Sequence, residues 1–383
     1  VSNGTYKVSK NIEISKDVWV RGLNDDRDAV VIDGQRRFST IITATGNGKL
    51  ASVTLTGGYL SGDEFQNAGV GLKILSAGSI VSNCVIRGNG TTAARTEGIG
   101  VYISSGMLLD SVIEDNTAIN SCRGVGLKMA GGTVDRCVIR RNVRTLACHP
   151  LNNDWLSAAG VCLYGGTLAN SIVTDNSLGS IVPVTRTYGA YDGTGVIMAG
   201  TSSRMINCAV IGNTFDTIAA TNYEAGVLVR NAEPLIYNTL IAGNGCSGAA
   251  ENNAPWNHSR FYNCAVPESE TSSMKSPVAV TAGDYVYDAV AGRVVLPAGS
   301  ALIDKGMTAA LTTVITNFDL ALAPRVVGSA VDIGPMESQG TVLGAIAFTT
   351  DQSSGFAPYT ATLTATARPA GVSYTWFVDG EEQ

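Results

Sequence analysis

The sequence has little charge, little proline and almost no histidine. Charged residues make up 15% of the 383 residues, well below the share in an ordinary domain, and the net charge is −6, which disfavours nucleic acid as a partner. Only 11 prolines accompany 44 glycines, a ratio that excludes collagen and indicates many tight turns between ordered segments. No apolar run is long enough for a membrane-spanning helix. The chain opens at Val1 without a signal-peptide pattern, which predicts a cytosolic protein or a mature, trimmed form.

The most informative feature present is an internal repeat. A glycine-led segment with alternating apolar residues recurs at 69–74, 98–103, 124–129, 160–164, 195–198 and 226–230. Each copy is followed by a second apolar segment that closes on an asparagine, at Asn89, Asn116, Asn142, Asn176, Asn213 and Asn244. The period-two alternation predicts short strands rather than helices. Since one unit cannot bury its apolar side alone, stacked units forming a right-handed parallel β-helix solenoid are expected.

Two further columns follow from aligning the second segment of each copy. The first is mostly asparagine, at a corner where a left-handed backbone is expected: Asn83, Asp110, Arg136, Asn170, Asn207, Asn238 and Asn263. The second is a column of small inward side chains: Cys84, Ser111, Cys137, Ser171, Cys208, Thr239 and Cys264. Half of the eight cysteines are therefore expected to fill the core. Cys122 and Cys148 lie in successive loops, where a pairing stays open, and no cysteine spacing indicates zinc or a redox motif.

These repeats resemble those of the bacterial right-handed parallel β-helix proteins of the pectate-lyase-like superfamily. The segments carrying the resemblance are SNCVIRGN, VDRCVIRRN and INCAVIGN, together with the glycine-led strands. The tail at 301–306, 319–325 and 331–334 is similar to the closing segment of extracellular members, and residues 355–360 and 374–380 resemble the start of an Ig-like β-sandwich of the PKD kind. The resemblance implies an all-β chain with a parallel β-helix at 1–267, its C-terminal coils and cap at 268–338, and a partial Ig-like domain at 339–383. The superfamily includes lyases, hydrolases, adhesins and inert stalks, so the fold alone does not determine the function.

Long loops between each closing asparagine and the next glycine are the first candidate functional surface. They are expected to leave one side of consecutive coils and to wall a groove. Aromatic side chains beside polar ones suit stacking on sugar faces and binding of hydroxyl groups. An alternative is that the loops use these aromatics to pack on themselves. The loop residues predicted to bind substrate are His149, Trp155, Arg186, Tyr188, Tyr191 and Trp256.

An outward column on the glycine-led strand is the second candidate surface. Gly71, Gly100 and Gly126 are expected to face outward beside it and to leave a shallow trough for a glycan, while a solvated sheet face is the plainer alternative. The column is predicted to contain Lys73, Tyr102, Lys128, Tyr164, Ala199 and Arg230, of which all but Ala199 are candidate substrate-binding residues.

Catalytic candidates are few, and none forms a recognised motif. Glycoside hydrolysis needs two nearby carboxylates, for which Asp192, Glu224 and Asp216 are the candidates. Proton abstraction beside a uronate needs a base and a group that neutralises the carboxylate, for which Lys128, Tyr164, His149 and Arg186 are the alternatives.

The sequence therefore favours a secreted or cell-surface bacterial protein that binds a polysaccharide or cell-surface glycan. Cleavage of that glycan is a further hypothesis. No metal and no cofactor is predicted, because the acidic cluster at 24–28 lacks the spaced ligands of a calcium loop. The alternative from another class is a structural stalk or adhesin without enzymatic activity.

Overall fold

The computed structural model describes the chain in segments. These are residues 1–62, 69–93, 96–119, 122–145, 157–179, 192–215, 223–229, 233–246, 260–272, 274–313 and 317–339, with the short strands at 348–350, 363–365, 377–378 and 381–382. The chain divides into two compact units, Val1–Ser338 and Gln339–Gln383.

The first unit is a parallel β-helix, which confirms the predicted fold class. One rung runs through Val85–Arg87, Gly90–Thr91, Thr96–Glu97, Val101–Ile103 and Met107–Leu109 before the next rung begins at Val112–Glu114. The strands of successive rungs pair in parallel, for example Val85 with Val112 and Val101 with Leu127. Each rung therefore contributes a strand to several sheets that run along the solenoid.

Three of these sheets have mostly strands of three or four residues and enclose the core. Sheet A contains Gly4–Lys7, Val30–Asp33, Thr54–Thr56, Val85–Arg87, Val112–Glu114, Val138–Arg140, Ile172–Thr174, Ala209–Ile211, Leu240–Ala242, Ala265–Val266 and Val278–Ala279. Sheet B contains Ile12–Ile14, Ile42–Ala44, Leu72–Ile74, Val101–Ile103, Leu127–Met129, Val161–Leu163, Val196–Met198 and Val227–Val229. Sheet C contains Trp19–Arg21, Lys49–Ala51, Ile80–Ser82, Met107–Leu109, Thr133–Asp135, Gly166–Ala169, Ser203–Ile206, Leu235–Tyr237 and Phe261–Tyr262.

Two narrower sheets with two-residue strands connect sheet A to sheet B. Sheet D contains Tyr59–Leu60, Gly90–Thr91, Thr117–Ala118, Val143–Arg144, Ser177–Leu178, Thr214–Phe215 and Gly245–Cys246. Sheet E contains Thr96–Glu97, Cys122–Arg123, Ser157–Ala158, Asp192–Gly193 and Tyr223–Glu224. Short 3-10 helices lie at Leu23–Asp25, Glu268–Glu270 and Thr308–Thr313.

The core lies between sheets A, B and C and is built from the alternating residues of their strands. Leu72 and Ile74 of sheet B, Val81 of sheet C and Ile86 of sheet A all belong to one fully buried cluster. β-branched side chains dominate because they pack well on a pleated surface. Each rung buries its apolar side against the rungs before and after it.

A ladder of buried asparagines runs along the corner between sheets A and D. The Nδ2 atom of Asn116 donates to Oδ1 of Asn142 at 2.9 Å, and Asn142 donates in the same way to Asn176 at 3.0 Å. The same side chains satisfy backbone groups, since the Asn142 amide donates to Ile113 O and its oxygen accepts the backbone N–H of Asn116. The ladder consists of the closing asparagines of the repeat: Asn89, Asn116, Asn142, Asn176, Asn213 and Asn244.

The corner between sheets C and A confirms the predicted left-handed column. All seven positions from Asn83 to Asn263 have φ between 45° and 53°. The next column is buried as predicted, and the backbone N–H of Cys137 donates to Ser171 Oγ at 3.0 Å. Cys122 is a free, buried thiol, whereas Cys148 lies outside the described residues.

The outward position predicted for three glycines is wrong. Gly71, Gly100 and Gly126 are buried, and a Cβ atom at Gly100 would lie 2.5 Å from Gly126 O and 2.9 Å from Asn116 Nδ2. Sheet B strands begin only at the residue after each of these glycines, so the period-two alternation does not extend back to them. The glycines instead allow consecutive rungs to approach closely beside the asparagine ladder.

The segment after the last rung is held by a buried cluster of charged groups. Arg325 is 1% exposed and donates through Nη2 to Asp332 O at 3.1 Å. The carboxylates of Asp319, Asp332 and Glu337 are also buried and accept backbone N–H groups, such as that of Glu337 on Asp319 at 3.0 Å. A hairpin of Val286–Asp288 and Arg293–Val295 precedes this cluster.

The second unit contains two antiparallel strand pairs in its described residues. Phe348–Thr350 pairs with Leu363–Ala365, and Phe377–Val378 pairs with Glu381–Glu382. The Ig-like character of this unit stays a prediction.

Candidate functional site

The outward column of sheet B is present over three rungs and then differs from the predicted one. Lys73 pairs with Tyr102, and Tyr102 pairs with Lys128, as the repeat indicates. The next partner of Lys128 is Cys162. From this rung onward the column consists of Cys162, Ile197 and Leu228 in place of Tyr164, Ala199 and Arg230.

The error in register is two residues and has a simple cause. Two glycines, Gly124 and Gly126, precede the strand in one copy, whereas a single glycine, Gly160, precedes it in the next. A Cβ atom at Gly126 would contact Gly160 O, so Gly160 stacks on the second glycine of the pair rather than on the first. A shift by two residues keeps each side chain on the same side of the sheet, so the alternation alone could not reveal it.

Tyr164 nevertheless contacts the column, because its ring lies diagonally next to Lys128. The Lys128 Nζ atom is 3.0 Å from the Tyr164 ring centroid, and the Arg123 guanidinium is 5.1 Å from the same centroid. Arg123 also forms an ion pair with Glu97 at 2.9 Å. The tyrosine ring therefore has two cations within cation–π distance, and both interact favourably with its π system.

Burial changes the acid–base properties of this cluster. Desolvation lowers the pKa of Lys128 to about 8, against an ordinary value of 10.5, because the side chain is only 3% exposed. Desolvation also lowers the pKa of Lys73. The pKa values of Tyr102 and Tyr164 are raised by desolvation, so both hydroxyls stay protonated at neutral pH. Contact with the Tyr164 ring favours the charged form of Lys128 and so opposes part of the desolvation effect.

Beyond Tyr164 the outer face of sheet B becomes apolar. Cys162, Ile197 and Leu228 form a fully buried cluster with Ala158, and Tyr164 and Ala199 pack against it. The polar part of the face is therefore limited to the rungs of Lys73, Tyr102 and Lys128, with Tyr164 at its border.

Glu97 and Arg123 were not among the predicted site residues, although both lie in sheet E beside this surface. They pair in register, with Glu97 opposite Arg123, and each directly precedes a glycine of the repeat, Gly98 and Gly124. That shared position was the signal by which they could have been found.

The predicted pair of catalytic carboxylates is not aligned in the backbone register. Asp192 pairs with Tyr223, whereas Glu224 pairs with Gly193, so the two positions are one rung and one residue apart. The third candidate, Asp216, lies outside the described residues.

All six loop residues predicted to bind substrate, and Arg230 of the predicted column, lie outside the described residues, as does the groove that the loops were expected to wall. These are His149, Trp155, Arg186, Tyr188, Tyr191, Arg230 and Trp256. Within the part of the chain that the structure describes, no group of His, Cys, Asp or Glu side chains is placed to hold a metal ion. No helix in that part has the length and hydropathy required to cross a bilayer.

Comparison with known proteins agrees with the architecture. The family model described as the right handed beta helix region matches residues 23–215. No curated protein matches the sequence. Among solved structures, the crystal structure of pectate lyase Pel9A is similar, at 16% identity and a TM-score of 0.49, over 88% of this chain and 86% of that one. This likeness to the lyase supports no conclusion about activity. The family match covers half of the chain, and the protein belongs to the right-handed β-helix family.

Proposed function

We propose that the protein binds an anionic polysaccharide along the outer face of sheet B. The binding surface, called here the Lys–Tyr surface, consists of Lys73, Tyr102, Lys128, Tyr164 and Arg123. The observation that carries the proposal is the Tyr164 ring, which has the Lys128 amine and the Arg123 guanidinium within cation–π distance. Such an arrangement offers an aromatic face and positive charge at one place.

The repeat of the surface along the solenoid supports a polymeric ligand. Lys73, Tyr102 and Lys128 occupy the same position in three consecutive rungs. Parallel strands are spaced about 4.8 Å apart, which is close to the length of one sugar unit. A glycan lying along the stack would therefore meet a similar contact at each rung.

The charge of the surface favours a polysaccharide with carboxylate or sulfate groups. Lys73, Lys128 and Arg123 contribute positive charge, and Glu97, paired with Arg123, is the acidic residue beside them. Lys73 and Tyr102 are half-buried and accessible, whereas Lys128 is 3% exposed. Lys128 therefore supports the potential of the surface from beneath, and Lys73 and Tyr102 make direct contacts.

Cleavage of the bound polymer is a second candidate activity of the same surface. A pKa of about 8 would make the Lys128 amine a suitable base for β-elimination near neutral pH, provided that a substrate could reach it. Hydrolysis would instead depend on the carboxylates of Asp192, Asp216 and Glu224.

We propose a secreted or cell-surface location in a bacterium, since extracellular polysaccharides are found there.

The proposal is tested by affinity electrophoresis in gels containing acidic and neutral polysaccharides, with product release followed in parallel. We expect retardation by acidic polymers, reduced by salt because the charges are exposed. K73Q and Y102A should each weaken retention by about tenfold, the loss expected for a charge-assisted hydrogen bond or a stacked ring. K49Q, a lysine on sheet C, is the matched control and should bind like the unaltered protein.

The products distinguish the activities. New reducing ends with the ultraviolet absorbance of an unsaturated sugar would identify a lyase, and reducing ends alone would identify a hydrolase that uses the carboxylates. Retention without products would identify a binding protein. Equal mobility in every gel would overturn the proposal and leave the stalk or adhesin as the better explanation.

A further inference from the structure

A separate pocket lies on the outer face of sheet A, under the segment that follows the last rung. Its volume is about 360 Å³. Val112 and Val138, which pair in adjacent strands, line it from the sheet, and Leu320 packs against the same two valines from the C-terminal segment. The pocket is therefore lined by two parts of the first unit that are distant in the sequence.

Both covering elements are held in place by specific hydrogen bonds. Arg140 Nη1 donates to Ala289 O at 2.9 Å and so ties the turn of the hairpin to sheet A. The turn that carries Leu320 is closed by Asp319, whose Oδ1 accepts the backbone N–H groups of Ala321 and Ala323 at 2.8 and 2.9 Å. The pocket is thus largely formed before any ligand arrives, a condition that favours binding.

The charged residues of the lining are mostly arginines. Arg136 is fully engaged, because its Nε and Nη2 atoms bind both carboxylate oxygens of Asp110 at 2.7 and 3.0 Å and its Nη1 contacts Asp135. Arg27 makes one hydrogen bond within the described chain, from Nη1 to Asp110 O at 3.3 Å. Arg293 is 3.9 Å from the carboxylate of Asp288. Among the described residues, Arg27 and Arg293 therefore keep unused donors, while the one acidic side chain in the lining, Asp110, is ion-paired with Arg136.

We propose that this pocket binds a small amphiphilic carboxylate. The anionic group lies against Arg27 and Arg293, the apolar body contacts Val112, Val138 and Leu320, and the whole ligand has about a dozen non-hydrogen atoms. The size follows from the volume, since a water-sized group occupies about 30 Å³. The charge follows from the guanidinium donors, which bind carboxylates through charge-assisted hydrogen bonds. The site is on a different sheet from the Lys–Tyr surface and does not depend on the polysaccharide proposal.

The test compares two probes of equal shape by isothermal titration calorimetry on the full chain. The probes are 4-phenylbutyrate and its neutral analogue 4-phenylbutyramide. We expect saturable binding of one phenylbutyrate, with the amide binding about tenfold more weakly because it lacks the charge. The double variant R27Q/R293Q should bind both probes with similar, weak affinity. A321W, which fills the pocket, should bind neither.

The control variant is R37Q, which removes an exposed arginine that does not line the pocket. It should bind both probes like the unaltered protein. Circular dichroism of each variant establishes that it is folded before titration. The proposal is overturned if phenylbutyrate does not bind at millimolar concentration, if acid and amide bind equally, or if R37Q and R27Q/R293Q lose the same affinity.

Discussion

Lys128 is a positively charged group in a site that is nearly closed to water. Its amine gives up hydration and gains the π face of Tyr164, a contact worth up to about 2 kcal/mol when desolvated. The lowered pKa indicates that the ring does not compensate for the whole loss. Desolvation of the charged Lys128 amine destabilises the folded protein at neutral pH. The free energy of unfolding is therefore expected to change measurably with pH as this amine loses its proton.

We predict that K128M and the unaltered protein differ in how their stability depends on pH. The folded-state pKa of about 8 lies below the ordinary 10.5, so the unfolded chain binds the extra proton between these values. The destabilisation caused by burying the charged Lys128 amine is therefore fully present below pH 8. It decreases as the pH rises toward 10.5. The stability advantage of the methionine variant should fall by about 2 kcal/mol between pH 7 and pH 10.

Urea denaturation of both proteins at the two pH values measures this difference. K49M is the control, because the Lys49 ammonium is partly exposed and ion-paired with an exposed Asp17. A constant difference between K128M and the unaltered protein across the pH range would show that Lys128 is not desolvated in solution.

The asparagine ladder is the element that fixes the spacing and phase of the rungs. Asn142 is fully buried, and its side chain bonds to the rung before it at Asn116 and to the rung after it at Asn176. Buried polar groups contribute little when satisfied and are expensive when left alone. A rung that is shifted from its register would leave buried amide groups without hydrogen-bond partners, so the ladder disfavours such arrangements.

We predict that N142A destabilises the protein by about 3 kcal/mol, because it leaves the amide of Asn116 and the carbonyl of Ile113 without their partner. The exposed Asn11, which donates to Thr40 O at 3.1 Å, supplies the comparison. N11A should cost less than about 1 kcal/mol. Chemical denaturation measures both values, and equal losses would contradict a special role for the ladder.

Some of the strands, corners and side-chain contacts could be predicted from the sequence, and others could not. The strands of sheets A and B, the left-handed corner and the buried cysteine column followed from repeated residues at constant spacing. Sheet C was not recognised as a sheet, since its strands, such as Ile80–Ser82, share no marker residue comparable to the glycines. The contact of Lys128 with Tyr164 was also unpredictable, because it depends on a two-residue register and on the length of two side chains.

Across the whole molecule, the division into two units predicts that the first one folds alone. We expect a fragment of residues 1–338 to unfold cooperatively with a melting temperature within a few degrees of that of the full chain. Differential scanning calorimetry compares the two. A fragment of residues 1–300 is the control and should melt much lower, because it loses the buried Leu302, Arg325 and Ile333. Similar melting of both fragments would show that the C-terminal segment does not stabilise the solenoid.

One of the two columns of side-chain amides gives its corner of the solenoid an electrical polarity. In the ladder that contains Asn142, each Nδ2 atom donates both to the asparagine of the later rung and to a backbone carbonyl of the earlier rung, whereas Asn238 donates to Asn207 and Asn207 to Asn170, toward the earlier rungs. Aligned amide dipoles polarise one another, and their positive ends lie where the donors point. The second row points at the carboxylate of Asp135, to which Asn170 donates at 2.8 Å. A buried anion in one rung is thus stabilised by amides that belong to rungs further along the solenoid.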